Sequence, residues 1–190
     1  MLTLKNKKWL FLGLGLLLIA ILVGFFCFKG YILKIIIGDK TKLLQDNCSA
    51  IEKSYIRGVS MEPSLNNNQE VSGYMGYYNC HEPKKNDPVV LEFKSQPGTR
   101  FVKKIMALGG DKIEFKGDNL MINGKIAKNS EGKAYQFSTR SQGLLTIPLE
   151  NKTIIEGYYL VLGEVVGPEA YDSRVFGYVE KDHLKGLVSP

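Results

Sequence analysis

A chain of 190 residues has room for one domain plus an appendage. Its formal net charge of +6 comes with no helix-turn-helix, finger or RNA-binding signature, and part of the excess flanks an apolar run. That excludes nucleic acid as the partner and leaves anionic lipid headgroups as the simpler one. Three cysteines and two histidines without metal-ligand spacing exclude a metal site, and nothing asks for a cofactor.

Residues 1–8 read as a short basic cytoplasmic tail. Residues 9–28, WLFLGLGLLLIAILVGFFCF, are uncharged and apolar. At ~1.5 Å rise per residue the run matches a hydrocarbon core of ~30 Å, with Trp9 at an interface. Lys5, Lys7 and Lys8 also suit a cleaved secretory signal, but the bulky end GFFCFKGY offers no small-x-small cleavage site. The reading is an uncleaved single-pass anchor in the inner membrane. Lysines on both sides nearly cancel the positive-inside count. The short tail before the first apolar helix then places everything after residue 30 on the outer side. Residues 29–50 form a juxtamembrane segment along the lipid bilayer.

Cys27 lies within the apolar run, leaving Cys48 and Cys80. In an oxidising compartment these two can close a loop of about 30 residues, worth ~3 kcal/mol; two unpaired thiols are the alternative.

Residues 51–190 form one all-β domain with long loops. VVLEFK, FVKKIMAL, KIEFKG, LMINGK, LLTIPL and YYLVLGE are short, rich in Val, Ile, Phe and Tyr, and bounded by Gly, Pro, Asn and Asp. KIEFKGDNLMINGK reads as two strands joined at GDN, with NG opening a further turn. No helical period is sustained over three turns. The polar stretch at 127–143, AKNSEGKAYQFSTRSQG, reads as an exposed loop or small excursion.

Residues 57–66, RGVSMEPSLN, set Ser60 in a turn-rich segment. A loop serine is ordinarily a solvated hydroxyl, and it becomes a nucleophile only where a base takes its proton. A Ser-His-Asp triad needs His81 or His183; His183, within VEKDHLKG, reads as a solvated surface residue. Carboxylates are scattered among lysines. In TRFVKKIMALGGDKI, strand alternation puts Phe101, Lys103, Ile105 and Ala107 on one face, and Arg100, Val102, Lys104 and Met106 on the other. Lys103 therefore lies among apolar neighbours, where desolvation lowers an ammonium pKa and prepares a general base. Solvated edge-strand lysines are the competing reading, and alternation alone leaves both open.

Taken together these segments resemble the type I signal peptidases, membrane-anchored Ser/Lys proteases that remove signal peptides. The resemblance runs from the anchor to the C-terminus. It is carried by SMEPSL (Ser60, Met61, Pro63), DPVVLEFK, RFVKKIMALGGDKI, LMINGK and the YDSRVFGYV segment (Asp172, Ser173, Arg174). It implies Ser60 as nucleophile, Lys103 as general base, Lys104 as its basic neighbour, and an Asp172–Arg174 pair bracing the site. It also implies a β-rich fold with a lipid-facing hydrophobic surface, and substrates with small residues at the first and third positions before the cut. Gly58 stands where many members have a serine, so the oxyanion depends on backbone N–H groups, chiefly that of Ser60. Ala170 stands where many have a lysine-orienting serine.

The expected function is removal of N-terminal signal peptides from exported preproteins by a Ser60/Lys103 endopeptidase. The ending GEVVGPEA with YDSRVFG is similar to conjugation-system peptidases that mature pilin precursors, which is one alternative. An inactive anchored peptide-binding β-module is another. A self-cleaving repressor shares the Ser/Lys chemistry, but needs a DNA-binding module where the apolar run stands.

Overall fold

A computed structural model describes residues 48–146 and 149–189. The expected tail and span, and nearly all of the juxtamembrane segment, lie outside these residues. Among the described residues no helix is long and apolar enough to cross a membrane.

The fold is mostly β. One antiparallel sheet is built from β1 (Ala50–Tyr55), β2 (Glu70–Met75), β3 (Pro88–Glu92), β4 (Arg100–Leu108), β10 (Tyr158–Leu162), β11 (Val179–Glu180) and β12 (Leu184–Ser189). Its spatial order is β1-β2-β12-β3-β4-β10-β11. A second sheet holds β5 (Ile113–Lys116), β6 (Asn119–Ile122) and β7 (Lys125–Ile126), and β8 (Leu149–Glu150) pairs with β9 (Thr153–Ile154). Two short α-helices, α1 (Thr139–Leu144) and α2 (Ser173–Phe176), lie in the connections between strands.

The β5–β6–β7 meander follows from its turns. Ile122 pairs with Lys125, so Asn123-Gly124 is a two-residue loop, and both residues have positive φ (51° and 76°). Such a turn matches the strand twist and favours Asn-Gly. Two expectations are corrected. LLTIPL is not one strand from its first residue: Leu144 ends α1, whose start is capped by the Ser138 hydroxyl accepting the Ser141 N–H, and only Leu149 enters a strand, β8. Residues 127–143 are not an exposed loop. Tyr135 and Phe137 are fully buried there, packed with Leu120, Leu160 and Leu162. The Gln136 N–H between them donates to Val166 O, and the buried Asn129 side chain donates to Glu164 O, which ties this polar segment to the body of the domain.

The large sheet curls. β1 and β4 stand four places apart in strand order, yet Arg100 Nη1 lies 2.7 Å from Glu52 Oε2. The curl makes a trough floored by Val71, Val90, Val102 and Val188. Met61 and Leu65, each 2% exposed, fill one end from the β1–β2 connection. Burying two such side chains contributes roughly 2–3 kcal/mol each and pins that connection to the sheet. Cys48 and Cys80 are bonded, with Cα atoms 6.0 Å apart.

Candidate active site

Ser60 stands on the loop that joins β1 to β2. The hairpin ladder continues past the strands, Ile56 N–H donating to Gln69 O and Asn68 N–H to Ile56 O. Within the loop, Leu65 N–H donates to Met61 O, and Asn67 N–H to the Glu62 carboxylate. The Glu62–Pro63 peptide is cis. Gly58 has φ +91°, a region that side chains other than glycine rarely adopt, and its N–H donates to Asn67 Oδ1. With Met61 and Leu65 anchored below, Ser60 is carried to the rim of the trough, half-buried.

Lys103 meets it there. Its Nζ lies 2.7 Å from Ser60 Oγ, and the residue is 4% exposed. The alternation expected for β4 holds: Lys103, Ile105 and Ala107 are all buried. Burial pushes the Lys103 ammonium below its ordinary pKa; nearby Asp172 opposes that shift, and Arg174 adds to it. A lysine so placed can accept a proton from the hydroxyl it touches.

Behind the pair, Gly163 follows β10 in close contact with the nucleophile. A Cβ built on it would lie 2.5 Å from Ser60 O and 3.6 Å from Lys103 Nζ, so only glycine fits. The Gly163 peptide is held on both sides. Its N–H donates to Asp172 Oδ2 at 2.9 Å, and its carbonyl accepts the Tyr135 hydroxyl at 2.8 Å. Asp172 caps α2 by accepting the Arg174 N–H and pairs with the Arg174 side chain, both residues being almost fully buried. Arg174 also donates to the carbonyls of Gly167 and Val165 and lies over the Tyr135 ring. Ser173 accepts the Val161 N–H where the β4–β10 register slips. Asp172, Ser173 and Arg174 thus gather behind Lys103 without touching Ser60 Oγ.

Lys104 follows Lys103 on β4. Its face does not look to solvent. The side chain is 15% exposed and its Nζ lies 2.7 Å from Glu164 Oε1, whose own side chain is fully buried. Burial pushes the Glu164 carboxyl up, but Lys104, Ser130 N–H and the Ser64 hydroxyl outweigh it, so it is held below the usual carboxylate range. Glu164 N–H donates to Ser60 O at 2.7 Å. Sequence reasoning missed Glu164 and Gly163. The one signal was the Gly-Glu pair closing YYLVLGE. The two histidines lie elsewhere: His81 stacks on Tyr77, and His183 lies against Phe93 and Asp182.

Two hollows meet at the pair. One is the trough, about 300 Å³, and the other, about 180 Å³, is bounded by Val165, Ala170 and Tyr171. β4 pairs with β3 over 100–104 and with β10 over 104–108. Among the described residues, the edge at 100–103 facing away from β3 therefore has no strand partner.

The family described as signal peptidase, peptidase S26, matches residues 45–190. Signal peptidase IB of Staphylococcus aureus is 32% identical over 144 residues, covering 70% of this chain and 73% of that protein. Signal peptidase I of Bacillus licheniformis is 27% identical over 137 residues, covering 71% and 73%. A crystal structure of a signal peptidase I from Enterococcus faecalis aligns at 27% identity with a TM-score of 0.41, over 57% of this chain and 98% of that one.

Proposed function

The chain belongs to the signal peptidase family, peptidase S26, and from that premise we propose that it is an endopeptidase removing signal peptides from exported preproteins, with Ser60 as nucleophile and Lys103 as general base. The observation that carries this reading is the 2.7 Å contact between Ser60 Oγ and a lysine amine that is 4% exposed.

Neutral Lys103 takes the Ser60 proton as Oγ attacks the scissile carbonyl. The lysine then returns that proton to the leaving amine, and an acyl-enzyme remains for water to release. Gly163 and the Asp172–Arg174 pair fix the ground behind the lysine, supporting the role that Ala170 leaves unfilled. The unpartnered edge at 100–103 suits an extended peptide added as a strand, with alternate side chains entering the trough. Small side chains at the first and third positions before the cut suit its modest volume.

A membrane anchor at 9–28 with the domain on the outer side remains part of this proposal, since preproteins are met at the membrane. Neither the pilin-restricted alternative nor the non-cleaving one gains an observation from the fold or the relatives. The test is incubation of purified protein with a preprotein carrying Ala-x-Ala before the cut. Parent protein is expected to release the signal peptide and Ser60→Ala to release none. Equal cleavage by both would overturn the assignment.

A further inference from the structure

The trough has two differently built ends. At one, Met61 and Leu65 hold the nucleophile loop. At the other stands a charged cluster: Arg100 Nη1 lies 2.7 Å from Glu52 Oε2 and its Nε 3.3 Å from Glu92 Oε2. Glu92 and Arg100 are direct partners across β3 and β4, whereas Glu52 reaches in from β1 on the far wall. The Glu52–Arg100 pair therefore straps the trough from wall to wall. Glu52, Arg100 and Met75 also line a second groove of about 730 Å³ on the other side, whose remaining walls include Lys181, Asp182 and Lys185. The strap is the boundary between an apolar hollow and a charged one.

Resting on the proposed peptidase function, we infer that the Glu52–Arg100 pair determines specificity at the fifth residue before the cut. An extended peptide on the 100–103 edge advances about 3.3 Å per residue and turns alternate side chains into the trough. Its first and third residues before the cut occupy the apolar hollow, and the next to face the trough is the fifth. Arg100 lies three residues along β4 from Lys103, roughly 10 Å, and its long side chain extends the reach to that level. Both partners are about half exposed, 47% and 49%, so their outer faces are hydrated. A large apolar side chain laid there strips that water without replacing its hydrogen bonds, whereas a small or polar one does not. The strap rejects Leu or Phe at the fifth position and accepts Ser, Asn or Gln.

The experiment compares kcat/KM on peptides with Ala at the first and third positions and Ser or Leu at the fifth, using the full chain. Parent protein is expected to favour Ser over Leu by about ten-fold, within the range that one badly solvated polar group costs. Glu52→Leu with Arg100→Leu should bring that ratio to within about two-fold, because the wall is then apolar. A second double variant, Glu52→Gln with Arg100→Gln, keeps size and exposure while removing the charges, and should also lower the ratio. Ser60-dependent cleavage without fifth-position preference, or with a ratio untouched by both double variants, would overturn the strap and leave the peptidase reading intact. Absence of any Ser60-dependent cleavage would overturn both.

Discussion

The backbone N–H of Glu164 donates to the carbonyl oxygen of Ser60 at 2.7 Å, which presses the residue before it, Gly163, against the nucleophile. The bond spans more than a hundred residues of sequence and fixes the height of Ser60 above Lys103. Gly163→Ala would put a methyl 2.5 Å from Ser60 O, where neither backbone can yield cheaply. The expected result is a fall in kcat of about 100-fold, the order associated with a displacement near 1 Å, with secondary structure by circular dichroism unchanged. Near-parental kcat would show that the approach does not position the nucleophile.

Glu164 and Lys104 make the second prediction. Their pair is buried, and removing one partner leaves a charge without compensation, costing about 3–5 kcal/mol. Lys104→Ala should therefore lower stability strongly in urea melts, and lower activity through the Ser60 loop. Glu164→Gln should cost less, because Lys104 is partly open to water. The pH dependence follows from the depressed Glu164 pKa. A carboxylate bound more tightly in the folded state contributes stability above its unfolded value of 4.5. That contribution is lost as pH falls through the lower, folded value. Parent protein should lose stability across that acid window, and Glu164→Gln should lose visibly less.

The face of Lys103 is legible in the sequence because alternation along β4 is a local property shared with Phe101, Ile105 and Ala107. Its burial is not, since that depends on strands packed against it from elsewhere in the chain. The Asn-Gly turn is legible because it too is local. Glu164 is not, since its partners come from residues 64, 104 and 130, and a glutamate after glycine has no pattern of its own. Tyr135 and Phe137 are hidden in another way. Their segment is polar by composition, and the two aromatics that enter the core are outnumbered by side chains that bond to neighbouring loops. β1 is equally hard to read, because all of AIEKSY is exposed and its pairing with β2 is set by the loop between them.

The third prediction separates catalysis from stability at Lys103. Lys103→Arg and Lys103→Met should both abolish cleavage, since guanidinium keeps its proton and the thioether takes none. Lys103→Met should nevertheless be more stable than the parent at neutral pH. The folded-state pKa is depressed by burial, so the unfolded chain binds more protons in the window between the folded value and the ordinary 10.5. Stability of the parent therefore rises with pH through that window, and the advantage of Met should shrink there. The kcat/KM profile of the parent should rise through the same depressed value. A flat stability difference between pH 7 and pH 11 would remove desolvation as the cause.

The last prediction concerns the bond between Cys48 and Cys80, which are 32 positions apart and enclose β1, the Ser60 loop and β2. Closing a loop of that length restricts the unfolded chain by about 3–4 kcal/mol, so Cys48→Ala with Cys80→Ala should lower the urea midpoint accordingly. Catalysis should respond differently. Within the folded state the Ser60 loop is held by six paired positions between β1 and β2, by the pairing of β2 with β12, and by buried Met61 and Leu65. None of these depends on the cross-link once the chain has folded. At a temperature well below both melting transitions, kcat/KM of the double variant should stay within about two-fold of the parent, because an unfolded-state effect leaves native geometry alone. A large loss of kcat in a fully folded double variant would mean that the disulfide orients the β1 wall of the trough, and Met61→Ala would then be expected to cost stability without a matching loss of rate.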